Sequence, residues 1–434
     1  MKLFKLRLVY SVKNFRRHKL ACLNDHRVTF RGKEYVPLMV GGMGTNISSA
    51  EMVLAVEKLG GIAHLSDAML MDVADRVCGT KYVPTKTMQY AKMRGSADKK
   101  GMAFDLAQLE EATKKYIGGV MEKATGKGLV FLNVMEKLTM NDPMGTLKVR
   151  LNAALDAGIQ GITLSAGLHL ASFKLMSENP RFREVLLGFV VSSVRALNLI
   201  LKRTASLNRL PDYIVVEGPK AGGHLGFGED WADYNVEDIT REVKAYLKEQ
   251  GHDIPVFVAG GVFTGGDATR MIEEVGADGV QVATRFVITQ ECGMPAAGKY
   301  AYLNAVEEDI EVNHLSPTGY LMRMLKNTPA KKMVVPPNCE PYGFLLNQGM
   351  CPYLKQWNQK LAGATAEEMG EPMCCLCTHM KLYNVWTCGA TTYRLKETTV
   401  KLPNGTWYLP TCEQVYRDYL FSTGDDIMVA QPEA

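Results

Sequence analysis

The chain has 434 residues, 47% hydrophobic and 22% charged, with a net charge of +4 at pH 7. That composition suits a soluble globular protein with ample core, arranged as one large domain with additions or as two domains. The charge is too small at this length to argue for nucleic acid, and the absence of an apolar run of roughly 18 residues argues against stable membrane insertion.

The start of the chain is basic, with Lys2, Lys5, Arg7, Lys13, Arg16 and Arg17 interleaved with apolar residues. It lacks the continuous apolar core of a secretory signal and is read as an extension over residues 1–34. Of the ten cysteines, seven fall between Cys339 and Cys412. A chain of this size does not need disulfide staples, so the cysteines point to a reducing cytoplasm.

From Tyr35 onward, short apolar runs alternate with helical patterns. The strands predicted are 35–40, 61–66, 129–135, 161–167, 186–193, a run opening at Tyr213, 254–261 and 279–286. The helix after the first strand has Ser48 and Glu51 as a capping box and Gly60 as its stop. Further helices carry Leu109, Ala112, Tyr116 and Val120, or Val236, Ile239, Val243 and Leu247, along one face. Eight strand–helix units in about 250 residues predict an α/β fold, a TIM (β/α)8 barrel over 35–329. A cysteine-rich extension over 330–434 completes the division. A doubly wound sheet would want a GxGxxG turn after its first strand, and GGMGTN has the wrong spacing.

In such a barrel, chemistry sits at the C-terminal strand ends, with phosphate at the loops after strands seven and eight. Those loops read AGGVFTGGD and ATR. The amides of Gly260, Gly261, Gly265 and Gly266, with Thr284, form a candidate phosphate cradle. Asn133 interrupts an apolar run and is costly to bury unpaired, which makes it a candidate ligand contact. Gly41, Gly42, Met43 and Ser165 stand at other strand ends. The stretch 213–228 (YIVVEGPKAGGHLGFG) places His224, a residue that titrates near neutrality, among glycines that permit close backbone approach. His64 and His169 also lie at strand ends.

PLMVGGMG, LNV, VVEGPKAGGHLG, VFVAGGV, GADGVQVATRF and EVNHLSPTGYLMRML, spread from Pro37 to Pro329, together resemble the nitronate monooxygenase (2-nitropropane dioxygenase-like) family. Flavin-dependent enoyl-ACP reductases share its superfamily. The resemblance implies an oxidoreductase holding FMN. Gly41, Gly42 and Met43 would line the isoalloxazine, Asn133 would bond it, and Ser165 would join the cofactor set. Gly222 and Gly223 would face the ribityl–phosphate side, and Gly260, Gly261, Ala283 and Thr284 would hold the phosphate. His224 matches the family's active-site histidine. Two positions depart: Lys220 stands where glutamate is common, which bears on substrate charge, and ATRF replaces GTRF.

The activity implied is oxidation of alkyl nitronates with O2 to a carbonyl compound and nitrite. The alternative is an NAD(P)H-dependent enoyl reductase, and NAD(P)H use and homo-oligomerisation stay open. In the tail, CCLC lacks CxxC spacing, so no metal ligand is assigned. Redox thiols, a metal site and a structural cover all remain readings of it.

Overall fold

The computed structural model describes residues 21–96, 98–99, 101–102, 105–136, 142–332, 334–339 and 351–433. The basic positions between Lys2 and Arg17, and His18, lie outside them. A hairpin comes first, β1 (Val28–Phe30) antiparallel to β2 (Lys33–Tyr35). The barrel strands follow: β3 (Leu38–Val40), β4 (Ile62–Ser66), β5 (Leu129–Met135), β6 (Gly161–Ser165), β7 (Leu186–Val191) and β8 (Tyr213–Glu217). After β8 the chain leaves the barrel for the two-residue strand β9 (Gly223–His224), then returns as β10 (Val256–Ala259) and β11 (Gly279–Val282). Strands β3 to β8, β10 and β11 pair in parallel and close, with β11 against β3. This is the TIM barrel expected, and each predicted strand falls on one barrel strand.

Two local expectations shift. The run 35–40 divides: Tyr35 ends β2, and the barrel strand begins after Pro37, which has no N–H for a ladder. The cap of the helix Ala50–Lys58 is Ser49, whose hydroxyl accepts from the Met52 amide at 3.1 Å. Ser48 instead accepts from the Met43 N–H at 2.8 Å and braces the loop after β3.

Alternation along the strands sends one set of side chains into the barrel and the other against the helices. At the N-terminal end the inner set is aromatic and sealed by the hairpin. Phe30 lies 5.8 Å from Tyr213 and 6.2 Å from Phe257, and Phe131 stacks on Tyr213 at 5.7 Å. His64 is fully buried nearby, its Nδ1 2.8 Å from the Val40 carbonyl and its Nε2 2.6 Å from Thr163 Oγ1, which meets the Tyr213 hydroxyl at 2.6 Å. Burial pushes its pKa down to about 4. It is a satisfied core histidine rather than a pocket residue.

The flank of the barrel is completed from the far end of the chain. The strand β11 leads into the turn Phe286–Ile288 and the helix Ala296–Asn304, which packs on the segment Thr392–Glu397. The flank position between helices Ala50–Lys58 and Gly265–Glu273 is taken by Cys412–Phe421. Arg285, directly after the barrel's last strand, anchors that helix through Asp418 at 2.5 Å, both residues being almost fully buried. Its guanidinium also lies over the rings of Tyr419 and Phe263. Removing one partner of such a pair leaves an uncompensated buried charge, at a cost of about 3–5 kcal/mol. The last helix is therefore part of the barrel wall.

A second sheet sits at the C-terminal end of the barrel. In it β12 (Ile310–Asn313) pairs with β13 (Met322–Leu325), and β13 pairs with β9, all antiparallel. Met322 faces His224 across the last pair.

Candidate active site

The inner cluster of the barrel includes Met39, Phe131, Val215 and Ala259. Two residues further toward the strand ends, the same alternation carries Gly41, Asn133, Glu217 and Gly261. On β11 a Cβ at Gly279 would point at the Phe257 ring, so Gln281 faces inward as well. The mouth is thus polar where the floor is aromatic. Asn133, Ser165, Glu217 and Gln281 are all half-buried. Gln281 Oε1 has no partner among the described residues, and none is found there for the Asn133 amide. Buried polar groups are normally paired, so an unpartnered Gln281 Oε1 among other polar strand-end residues suits a ligand contact.

The glycines at 41 and 42 are required by that convergence. A Cβ at Gly41 would lie 3.1 Å from Gln281 Nε2, and one at Gly42 would overlap the Asn133 side chain. Met43 follows on the loop held by Ser48. Ser165 ends β6, its carbonyl accepting from His169 Nε2 at 2.7 Å. His169 is fully buried with its other ring nitrogen 2.8 Å from Ser172 Oγ, so it supports that strand end rather than lining the pocket.

The loops after β10 and β11 leave four backbone donors together. The N–H groups of Gly260, Gly261, Ala283 and Thr284 donate to no acceptor among the described residues. Gly260 and Gly261 have φ of +94° and +99°, which favours glycine and turns successive amides to one side. Such a nest suits a phosphate. A Cβ at Gly265 or Gly266 would run into carbonyls of Asp418, Tyr419, Ser422 or Gly424, so the end of the last helix packs directly on these two glycines.

His224 is half-buried on β9. Its Nε2 lies 2.6 Å from Ser316 Oγ, and Ser316 is 2.7 Å from Thr318 Oγ1. Burial pushes its pKa down to about 4, so the imidazole is neutral at pH 7. Ser316 Oγ also accepts from the Thr318 N–H at 3.3 Å, which fixes the hydroxyl against the His224 ring. Glu217 is pushed up to about 7 by burial alone, and the mouth therefore holds two groups tuned away from their solution values. The loop between them is pinned by Arg323, whose guanidinium donates to the carbonyls of Pro219 and, at 2.7 Å, Ala221.

Sequence reasoning missed Gln281, Glu217 and Ser316. The first two carry the signal that identified Asn133, a polar residue at an inward register of an apolar strand. Ser316 comes from a distant segment whose pairing with β9 has no local signature. The stem of Lys220 packs against Gly261, one of the glycines at the mouth.

All ten cysteines lie outside disulfides. The Cys377 thiol hydrogen-bonds with those of Cys339 and Cys375, and Cys375 is held near 6 by its bonds to Cys377 and Thr378. Among the described residues no group of three His, Cys, Asp or Glu is arranged to hold a metal. No described helix is long and apolar enough to cross a membrane.

Residues 31–343 match the nitronate monooxygenase family. A probable nitronate monooxygenase of Staphylococcus saprophyticus is 32% identical over 124 residues, 28% of this chain and 34% of that relative. The match to that curated relative therefore spans about a third of its length. Among solved structures, FabK from Thermotoga maritima superposes with a TM-score of 0.53 at 17% identity, covering 88% of this chain and 91% of that one. The enoyl reductase domain of MlnA from Bacillus amyloliquefaciens gives 0.56 at 12% identity, covering 89% and 93%. Both are likenesses of fold. The family match covers most of the chain and falls on a closed barrel whose open end gathers these groups: the chain belongs to the nitronate monooxygenase family, a family of flavoenzymes.

Proposed function

We propose that this protein is an FMN-dependent nitronate monooxygenase, oxidising an alkyl nitronate with O2 to a carbonyl compound and nitrite. The observation that carries the reading is His224, an imidazole kept neutral by burial at the edge of a polar mouth and oriented by Ser316. The cradle of unpaired amides supports a phosphate-bearing flavin. The side-chain amides of Asn133 and Gln281 fit the polar edge of its ring, and the bare glycines 41 and 42 give it room. When bound, the flavin supplies the electron chemistry.

The protein's own contribution is to bind, orient and manage protons. An anion bound beside His224 raises the imidazole pKa from its low resting value, because an opposite charge favours the protonated form. His224 then takes up a proton from solvent as negative charge arrives and holds the nitronate through a charge-assisted hydrogen bond. Positioned acid–base groups of this kind contribute about 10²–10⁴-fold. The ten thiols outside disulfides support residence in a reducing, cytoplasmic compartment.

The test follows the oxidised flavin band anaerobically in a stopped-flow instrument, with cofactor identity checked by chromatography after heat release. Propyl nitronate should bleach the band, and the released cofactor should be FMN. Bleaching by NADH or NADPH with none by the nitronate would replace this reading with the enoyl reductase one.

A further inference from the structure

The C-terminal segment reaches the candidate phosphate site as well as the barrel flank. Trp386 accepts at its carbonyl from the Leu325 amide at 3.0 Å, Thr387 bridges Met324, and Cys388 donates to the Arg323 carbonyl at 3.2 Å. The segment thus runs along β13 on the edge away from β12 and arrives beside β9. There it turns. Ala390 donates to the Lys220 carbonyl at 3.0 Å. A Cβ at Gly222 would lie 2.6 to 2.9 Å from the Cys388–Gly389 peptide, and a Cβ at Gly389 would lie 2.7 Å from Thr284 Oγ1. Glycine on both sides of this contact lets two backbones meet without side chains between them. Gly389 is buried, and its N–H donates to no acceptor among the described residues.

Lys220 stands at the same place. Its Cδ comes within 3.1 Å of where a Cβ of Gly261 would be, its ammonium has no ion-pair partner among the described residues, and the residue is exposed. The four unpaired amides of the loops after β10 and β11 therefore have a lysine on one side and the turn Cys388–Ala390 on the other.

We propose that Lys220 and the tail turn Cys388–Ala390 form the outer wall of the phosphate end of the flavin site, so that retention of the cofactor depends on the last hundred residues of the chain. The inference rests on the flavin reading above and adds to it which of this chain's own residues hold the phosphate. Lysine acts there as a compact, flexible point charge suited to phosphate. The Gly389 amide adds a fifth donor to the four already present. The C-terminal segment is held to this task at two points, by the β13 edge and by the buried Arg285–Asp418 pair, which fixes the loop carrying Thr284.

The test titrates full-length apoprotein with FMN and, separately, with riboflavin, which has the same ring and ribityl chain without the phosphate. Lys220→Met should weaken FMN about tenfold, the scale of one charge-assisted hydrogen bond, and leave riboflavin within about twofold. Lys220→Arg should restore most of the loss. Raising salt should weaken FMN binding more in the wild type than in Lys220→Met, since the partly exposed pair is screened. Gly389→Val, which drives a side chain into Thr284, should also raise the ratio of FMN to riboflavin dissociation constants. A ratio unchanged in both Lys220→Met and Gly389→Val overturns the wall. Wild-type apoprotein that takes up neither flavin overturns the flavin reading itself.

Discussion

At the N-terminal end of the barrel the inward positions carry Phe30, Phe131, Tyr213 and Phe257, packed ring against ring and closed by a hairpin. Toward the C-terminal end, the inward positions of the barrel strands carry Asn133 on β5, Glu217 on β8 and Gln281 on β11, half-buried at the mouth and with Gln281 Oε1 left without a partner among the described residues. One alternation serves both ends, and what changes is whether the next inward residue can be satisfied by its neighbours. The floor is complete within itself. At the mouth the polar groups are left for something that enters from outside. The His64–Thr163–Tyr213 chain shows the contrast most directly, because it is a polar cluster inside the barrel with every ring nitrogen of its histidine matched.

That comparison predicts that changes at the mouth cost function and changes at the floor cost stability. The largest effect is expected at His224. His224→Asn should keep fold and flavin while turnover with a nitronate falls by about two or more orders of magnitude. Near-wild-type turnover in a fully flavinated variant would make His224 another satisfied histidine. Phe257→Ala tests the other end. The ring is fully buried between Phe30 and Tyr213, and Gly279 has no Cβ to fill the gap. The variant should lose about 3–5 kcal/mol of stability in urea unfolding while its flavin affinity at low temperature stays near wild type. A floor substitution that abolished flavin binding without lowering the unfolding midpoint would erase the distinction between the two ends.

The barrel was legible because buried parallel strands write themselves as apolar runs and their helices as 3.6-residue patterns. The glycines at 41, 42, 260 and 261 were legible because close approach and positive φ leave few other residues possible. The hairpin under the floor was not, since three-residue strands such as Val28–Phe30 carry too little periodicity. Nor was the use of the C-terminal helix as a wall element. Its apolar face announces burial without saying against what, and the partner, Arg285, lies over a hundred residues earlier. Ser316 and Gly389 were hidden for the same reason: each acts through a contact that depends on tertiary pairing alone.

The smallest effect, and the one that separates the mouth from the floor most finely, concerns Glu217. Desolvation raises its pKa from 4.5 to about 7. The folded protein therefore holds a proton at Glu217 that the unfolded chain releases near 4.5, and between these values folding binds a proton. Stability from this group is fully present below pH 4.5 and is lost as the pH rises through 7. In Glu217→Gln that loss disappears. On flavin-free full-length protein, the variant and the wild type should melt alike near pH 4, and the variant should gain by a few degrees by pH 8. The same substitution should remove any limb near pH 7 from the kcat/KM profile for a nitronate and leave the acid limb set by His224, which lies well below 6.5. Melting curves whose separation is the same at both pH values would mean that Glu217 is already ionised in the folded mouth, paired there with a group that the floor-like packing of β8 does not supply.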